Sequence, residues 1–145
     1  RDDIEETFGI RSVLEGYAAR LAAIKHGAQE LEQLENKINE FQNALDRKKM
    51  NLLPAINTEF HDLLYSLSKS PKLINIINGL RDQIYRYRQM ILKERKFAST
   101  SNLDHKKMLK YIRKRDAEGA ERLVRDHILR GKEMVLKEYD RQRQD

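Results

Sequence analysis

Asn57 and His61 stand four residues apart in the stretch Asn57-Thr58-Glu59-Phe60-His61-Asp62-Leu63-Leu64, so on a helix an amide oxygen and an imidazole share one face, one turn apart. Two more histidines also fall on apolar stripes: His105 with Met108, Leu109 and Ile112, and His127 with Ala120, Val124 and Gly131. The remaining histidine, His26, lies beside Gly27 in the last turn of a helix, where an imidazolium is favoured by the helix dipole. Three imidazoles in one apolar interior each need partners for two ring nitrogens, and one divalent cation satisfies three of those nitrogens together. Zinc accepts three imidazoles and one oxygen with a position left open, and nickel, cobalt, iron or manganese tolerate the same donors.

Such a centre can anchor an outside ligand or activate water as a metal-dependent hydrolase. Adjacent helical residues point ~100° apart, so Asp62 should face away from a cation held by His61, and the Glu-x-x-His pairs of di-iron bundles are missing. A third reading keeps each histidine as an internally satisfied core residue of a dimerisation module.

The helices that must position these residues follow from apolar spacing. Ile10, Val13, Leu14, Tyr17, Ala18, Leu21 and Ile24 predict the inner stripe of a first helix over about residues 4 to 26, ended by Gly27. Leu31, Leu34, Ile38, Phe41 and Leu45 mark a second over about 28 to 48. The third begins near Pro54 and carries Asn57 and His61; Ser70 and Pro71 end it and open a fourth, whose inner stripe is Leu73, Ile76, Ile77, Leu80, Ile84, Tyr87 and Ile91. The polar stretch Ser99-Thr100-Ser101-Asn102 interrupts the pattern and predicts a fifth helix from Ser101 to about Lys114. Asp116 caps a sixth, with Ala117, Ala120, Val124, His127, Ile128, Met134 and Val135 inward. His105 lies 10 residues before the turn near Arg115 and His127 12 after it, so they stand ~15 and ~18 Å from the same end of the bundle. The expected fold is all-α, an antiparallel bundle of six to seven helices.

Length and composition bound the rest. At 145 residues, with two prolines and six glycines scattered singly, the chain reads as a single domain over 1–145. Its +6 charge is uneven: residues 1 to 80 carry 10 Lys+Arg against 12 Asp+Glu, and residues 81 to 145 carry 19 against 11. Those basic residues interleave with Glu94, Asp116 and Glu121 on polar helix faces, which reads as a solvated surface rather than a phosphate-binding one. Cysteine is absent, excluding disulfides and thiolate chemistry. No apolar run approaches the ~20 residues of a membrane span and the acidic N-terminus is unlike a signal peptide, so a cytoplasmic protein with no membrane partner is expected. The start without methionine, directly into a helix, reads as a fragment of a longer protein.

A set of short motifs, in order, resembles one family. They are Arg11-Ser12-Val13-Leu14-Glu15-Gly16-Tyr17-Ala18-Ala19, Asn57-Thr58-Glu59-Phe60-His61, Ser70-Pro71-Lys72-Leu73, Asp104-His105, Arg115-Asp116-Ala117-Glu118-Gly119-Ala120 and Asp126-His127. Together they are similar to the FCD-type C-terminal ligand-binding domain of GntR-family bacterial transcription regulators. The resemblance implies a helical bundle that binds a divalent metal through Asn57, His61, His105 and His127, with Asn57 standing where many members have Asp. It implies a small organic-acid effector whose carboxylate meets the metal, a homodimer, and operator DNA gripped by an N-terminal winged helix-turn-helix domain that this chain does not contain. It implies a sensor and not an enzyme. Arg11 first and Arg88 next are the candidate carboxylate partners because a guanidinium fork donates two parallel hydrogen bonds, with a surface pair between Arg11 and Glu15 as the lesser reading.

Overall fold

Seven α-helices and one short 3-10 turn make up the computed structural model, which describes all of residues 1–145. They are α1 (Asp2–Lys25), α2 (Ala28–Asp46), α3 (Leu53–Ser66), α4 (Pro71–Asn78), α5 (Arg81–Ile91), α6 (Arg95–Arg113) and α7 (Ala117–Gln144), with the 3-10 turn at Met50–Leu52 leading into α3. The fold is an all-α bundle without strands. Local chemistry marks several boundaries: Ser70 Oγ accepts from Leu73 N with Pro71 in the first turn of α4, and Asp116 accepts from Gly119 N at the start of α7. The main core runs through α1, α2, α3, α6 and α7, with Phe8, Leu34, Phe60, Leu64, Met108, Ile112, Ala120 and Val124 at its centre.

The α6–α7 hairpin, which carries His105 and His127, is tied to the end of α1. Arg115 occupies the tight turn with φ 57°, and its guanidinium donates to the carbonyls of Ala23, Ile24 and His26 at 3.4, 3.0 and 3.3 Å. These are carbonyls left over where α1 stops, so one residue closes the hairpin and caps a neighbouring helix. His26 is the C-terminal cap of α1, its Nδ1 2.8 Å from the Ala22 carbonyl.

Three expectations from periodicity are corrected here. First, α1 does not turn most of the predicted stripe inward: Ile10, Val13, Tyr17 and Ile24 are between 46% and 54% exposed. The buried face is Phe8, Arg11, Ser12, Glu15, Ala18, Ala19, Ala22 and Ala23, packed along α7. Small residues permit that closeness, since a methyl group added at Gly16 would lie 2.6 Å from Arg125 Cγ. Second, the predicted fourth helix is two helices, α4 and α5, parted at Gly79 and Leu80, and Ile76 is exposed. Third, Ser99-Thr100-Ser101-Asn102 lies inside α6 and not in a break. Its polar groups are satisfied without one: Thr100 Oγ1 donates to the Lys96 carbonyl, and Asn102 is wholly buried in side-chain contacts.

Candidate metal centre

α3, α6 and α7 each deliver one imidazole to the same point. Donor nitrogens of His61, His105 and His127 lie within 4.8 Å of one another, and the three rings form a triangle with centroids 5.2, 5.4 and 5.6 Å apart. His105 and His61 are almost wholly buried, and His105 is stacked on Phe60 at 4.3 Å and edge-on to Phe41 at 5.7 Å. One turn before His61, Asn57 is buried on the same face of α3.

Two of the three tautomers are set by neighbours. Asn102 Nδ2 donates to the Ile38 carbonyl and to Gln42 Oε1, which orients its own oxygen toward His105 Nδ1 at 3.2 Å. His105 Nδ1 therefore carries the proton and Nε2 keeps its lone pair. His127 Nδ1 likewise donates to Asp104 Oδ2 at 2.9 Å, leaving its Nε2 for another partner. Asp104 also accepts from Arg130. Burial pushes the Asp104 carboxyl up, but the hydrogen bonds and charge from His127 and Arg130 outweigh it and hold the group below the usual carboxylate range.

Only three buried side-chain polar atoms in the whole chain lack a partner, and all belong to this cluster: Asn57 Oδ1, His61 Nδ1 and His105 Nε2. An unmade hydrogen bond at a buried atom costs ~1–3 kcal/mol, so three in one place mark a site built for something else. Lone pairs on neutral nitrogens and an amide oxygen are the donors that a borderline divalent cation takes, so the residues fit such an ion.

A cavity adjoins the cluster. It is narrow, with about 30 Å³ of room for the centre of a water molecule, and is lined by Phe8 and Arg11 from α1, Asn57 and His61 from α3, Arg88 and Ile91 from α5, Leu92, Phe97 and Ser101, and His127, Ile128 and Gly131 from α7. Arg11 and Arg88 are both buried. Arg11 Nε donates to Glu15 Oε2 at 2.8 Å, and its guanidinium lies 4.8 Å over the Phe8 ring. The Arg11–Glu15 pair is thus an interior feature, not the surface pair that spacing also allowed. Arg88 donates to Thr58 Oγ1 at 3.2 Å and to the Tyr65 hydroxyl at 3.3 Å, while that hydroxyl donates to Glu15. Burial, reinforced by Arg11, lowers the Arg88 pKa to about 10, which still leaves it charged at neutral pH. Glu15, Thr58, Tyr65, Asn102 and Asp104 were not singled out as functional from the sequence. Glu15 and Tyr65 carried signals, at i+4 from Arg11 and i+4 from His61, but a charge at either spacing looks the same on a surface helix.

The family model named FCD domain matches residues 6–130 of this chain. The chain belongs to the FCD domain family. Among relatives, the uncharacterized HTH-type transcriptional regulator YdhC of Bacillus subtilis (strain 168) is 26% identical over 127 residues, which is 87% of this FCD domain and 57% of the relative. Streptococcus agalactiae GntR superposes with a TM-score of 0.77 at 21% identity, over 90% of this chain and 58% of that one. E. coli McbR/YncC superposes with a TM-score of 0.81 at 20% identity, over 95% of this chain and 65% of that one. The chain therefore spans less than two thirds of the length of these relatives. The two solved structures share the helical bundle described above over that span.

Two outcomes follow from the cluster's surroundings. Asp104→Ala removes the acceptor that orients His127 and should weaken metal affinity ~10- to 100-fold, read by competition with a chelating indicator. The second concerns pH. Burial first, then the nearby positive charge of Arg88, holds His61 well below the ordinary imidazole range, and burial with His127 does the same to His105. An imidazole whose folded pKa is depressed binds fewer protons than the unfolded chain below pH ~6.5, so stability is full above that pH and falls as pH drops. The slope reaches at most ~1.4 kcal/mol per pH unit for each histidine, and urea titrations at pH 7.5, 6.0 and 5.0 would measure it.

Proposed function

We propose that this FCD domain is the effector-sensing and dimerisation module of a GntR-family DNA-binding transcription regulator, and that it binds a small organic acid at a buried divalent metal. The observation that carries the reading is the coincidence of every unpartnered buried polar atom with the three-histidine cluster. Asn57, His61, His105 and His127 would hold the ion, zinc foremost, with nickel, cobalt, iron or manganese also suited to nitrogen and oxygen donors. When bound, it supplies a Lewis-acidic anchor for a carboxylate oxygen. The chain's own part is then to orient that acid: Arg11 and Arg88 line the same cavity as Asn57, His61 and His127 and would offer guanidinium groups to the acid's remaining oxygens.

Regulation of transcription is inferred from the family and from the name of the Bacillus relative. Operator DNA would be met by an N-terminal winged helix-turn-helix domain of the parent protein, in the cytoplasm, with two copies acting together. The exposed apolar stripe of α1, Ile10, Val13, Tyr17 and Ile24, supports self-association, because a helix apolar on both faces is poorly suited to water on either. No helix is long and apolar enough to cross a membrane.

The hydrolase alternative has less support. No carboxylate lines the cavity to serve as a general base, and Asp62 faces outward, paired with Arg81 at 2.9 Å. The test is elemental analysis of untagged protein followed by thermal denaturation of the metal-loaded form with a panel of organic acids. One bound metal per chain, and a melting temperature that rises with at least one acid, is expected; an acid at a hundredfold over its Kd adds ~2.7 kcal/mol. Protein that takes up no metal, or that ignores every acid once loaded, would overturn the proposal.

A further inference from the structure

The two ends of the cavity can be compared by charge. At one end Arg11 and Arg88 bring two positive charges against the single negative charge of wholly buried Glu15, an excess of one. Arg11 is pinned by its Nε bond to Glu15 and by Phe8, and its two terminal nitrogens, which are not fully buried and so lie outside the three orphaned atoms, make no hydrogen bond within the chain. At the other end the donors are all neutral: coordinating imidazoles must be deprotonated, and residue 57 is an amide, so nothing there offsets the charge of a divalent ion. Asp104, the nearest other acid, is taken up by His127 and Arg130.

We infer that this cavity selects short acids carrying two carboxylates over acids carrying one. The inference rests on the metal-and-carboxylate reading above and adds the charge of the ligand to it. A single carboxylate placed at the metal leaves the excess guanidinium charge buried and unmatched, and an uncompensated buried charge is among the costliest features a site can hold. A second carboxylate removes that deficit and finds the free nitrogens of Arg11 waiting. His61 and Arg88 line the same cavity and share Tyr65 as a neighbour, its ring 6.0 Å from that of His61 and its hydroxyl 3.3 Å from Arg88 Nη2, so the two groups are near enough for an acid of few carbons. Asn57 is the residue that sets this balance, because aspartate in its place would cancel one positive charge at the metal end.

Calorimetric titration of zinc-loaded protein at pH 7.5 and fixed ionic strength tests the idea with malonate, succinate and glutarate, each against its own monoamide. The paired probes match in length and differ by one charge. The best diacid should bind at least ~10-fold more tightly than its monoamide, Arg11→Gln should erase that ratio, and Asn57→Asp should narrow it. Neither substitution removes an imidazole, and metal content measured on each variant shows whether the site is intact. Equal affinity within all three pairs overturns the inference while leaving the carboxylate sensor standing. Silence with all six probes, from protein carrying its metal, overturns both.

Discussion

On the proposed reading, His105→Ala should abolish binding of a divalent metal. The ring is as buried as that of His61 and its Nε2 has no partner within the chain, so removing it takes away a donor that no neighbour can replace. Structural zinc sites are worth roughly 10–16 kcal/mol over four ligands, so one ligand is worth about 3 kcal/mol, a hundredfold or more in affinity. The substitution also leaves a hole between Phe41 and Phe60, which costs the metal-free fold about 2–5 kcal/mol. The two effects separate cleanly. Chelator competition reads the first, and urea denaturation of metal-free protein reads the second. His26→Ala is the control: that ring caps α1 and lies outside the cluster, so metal affinity should be unchanged. A His105→Ala variant that keeps wild-type affinity would show that the unpartnered atoms serve something other than a cation.

Glu15→Gln is expected to be the most destabilising single change in the chain that leaves volume unaltered. Glu15 accepts from Arg11 at 2.8 Å and from the Tyr65 hydroxyl, and it lies 3.9 Å from Arg88, with no exposed surface. Neutralising it leaves two guanidinium groups buried together with no counter-charge. Breaking a buried pair from one side costs about 3–5 kcal/mol, which for a chain of this size lowers the melting temperature by roughly 10 °C. Arg88→Met in the same background should recover part of the loss, since it removes one of the two stranded charges, and the double-mutant cycle measures how much. Tyr65→Phe, which deletes both hydrogen bonds of one hydroxyl and no charge, should cost less, about 2 kcal/mol. If Glu15→Gln shifts the midpoint no more than Tyr65→Phe does, the buried charge balance that also underlies diacid selection is absent.

Much of the fold was legible because helix boundaries are written in local chemistry. Gly27, Ser70-Pro71 and Asp116 each act within a turn of their own position, and each marks a boundary in the structure. The α4–α5 break was signalled by the turn dipeptide Asn78-Gly79, but apolar spacing that runs on from Leu73 to Ile91 masks it. Ser99 to Asn102 misled in the opposite direction. Ser, Thr and Asn favour loops when their side chains must bond their own backbone, but Asn102 bonds α2 and His105 instead, and those partners lie 64, 60 and 3 residues away.

By itself the sequence determined the residue types, their faces and their heights: Asn57 one turn from His61, and His105 and His127 at similar distances from the α6–α7 turn. Spacing along one helix is a local quantity, fixed by a rise of ~1.5 Å per residue, and needs no knowledge of neighbours. Only the tertiary structure decided which face of α1 is inside. Ile10, Val13, Tyr17 and Ile24 outrank alanine in hydrophobicity, yet the alanine face is buried because small side chains let α1 lie closely along α7. That choice carries Arg11 and Glu15 into the interior beside Arg88. The charge of the cavity is therefore a consequence of how near two helices can approach.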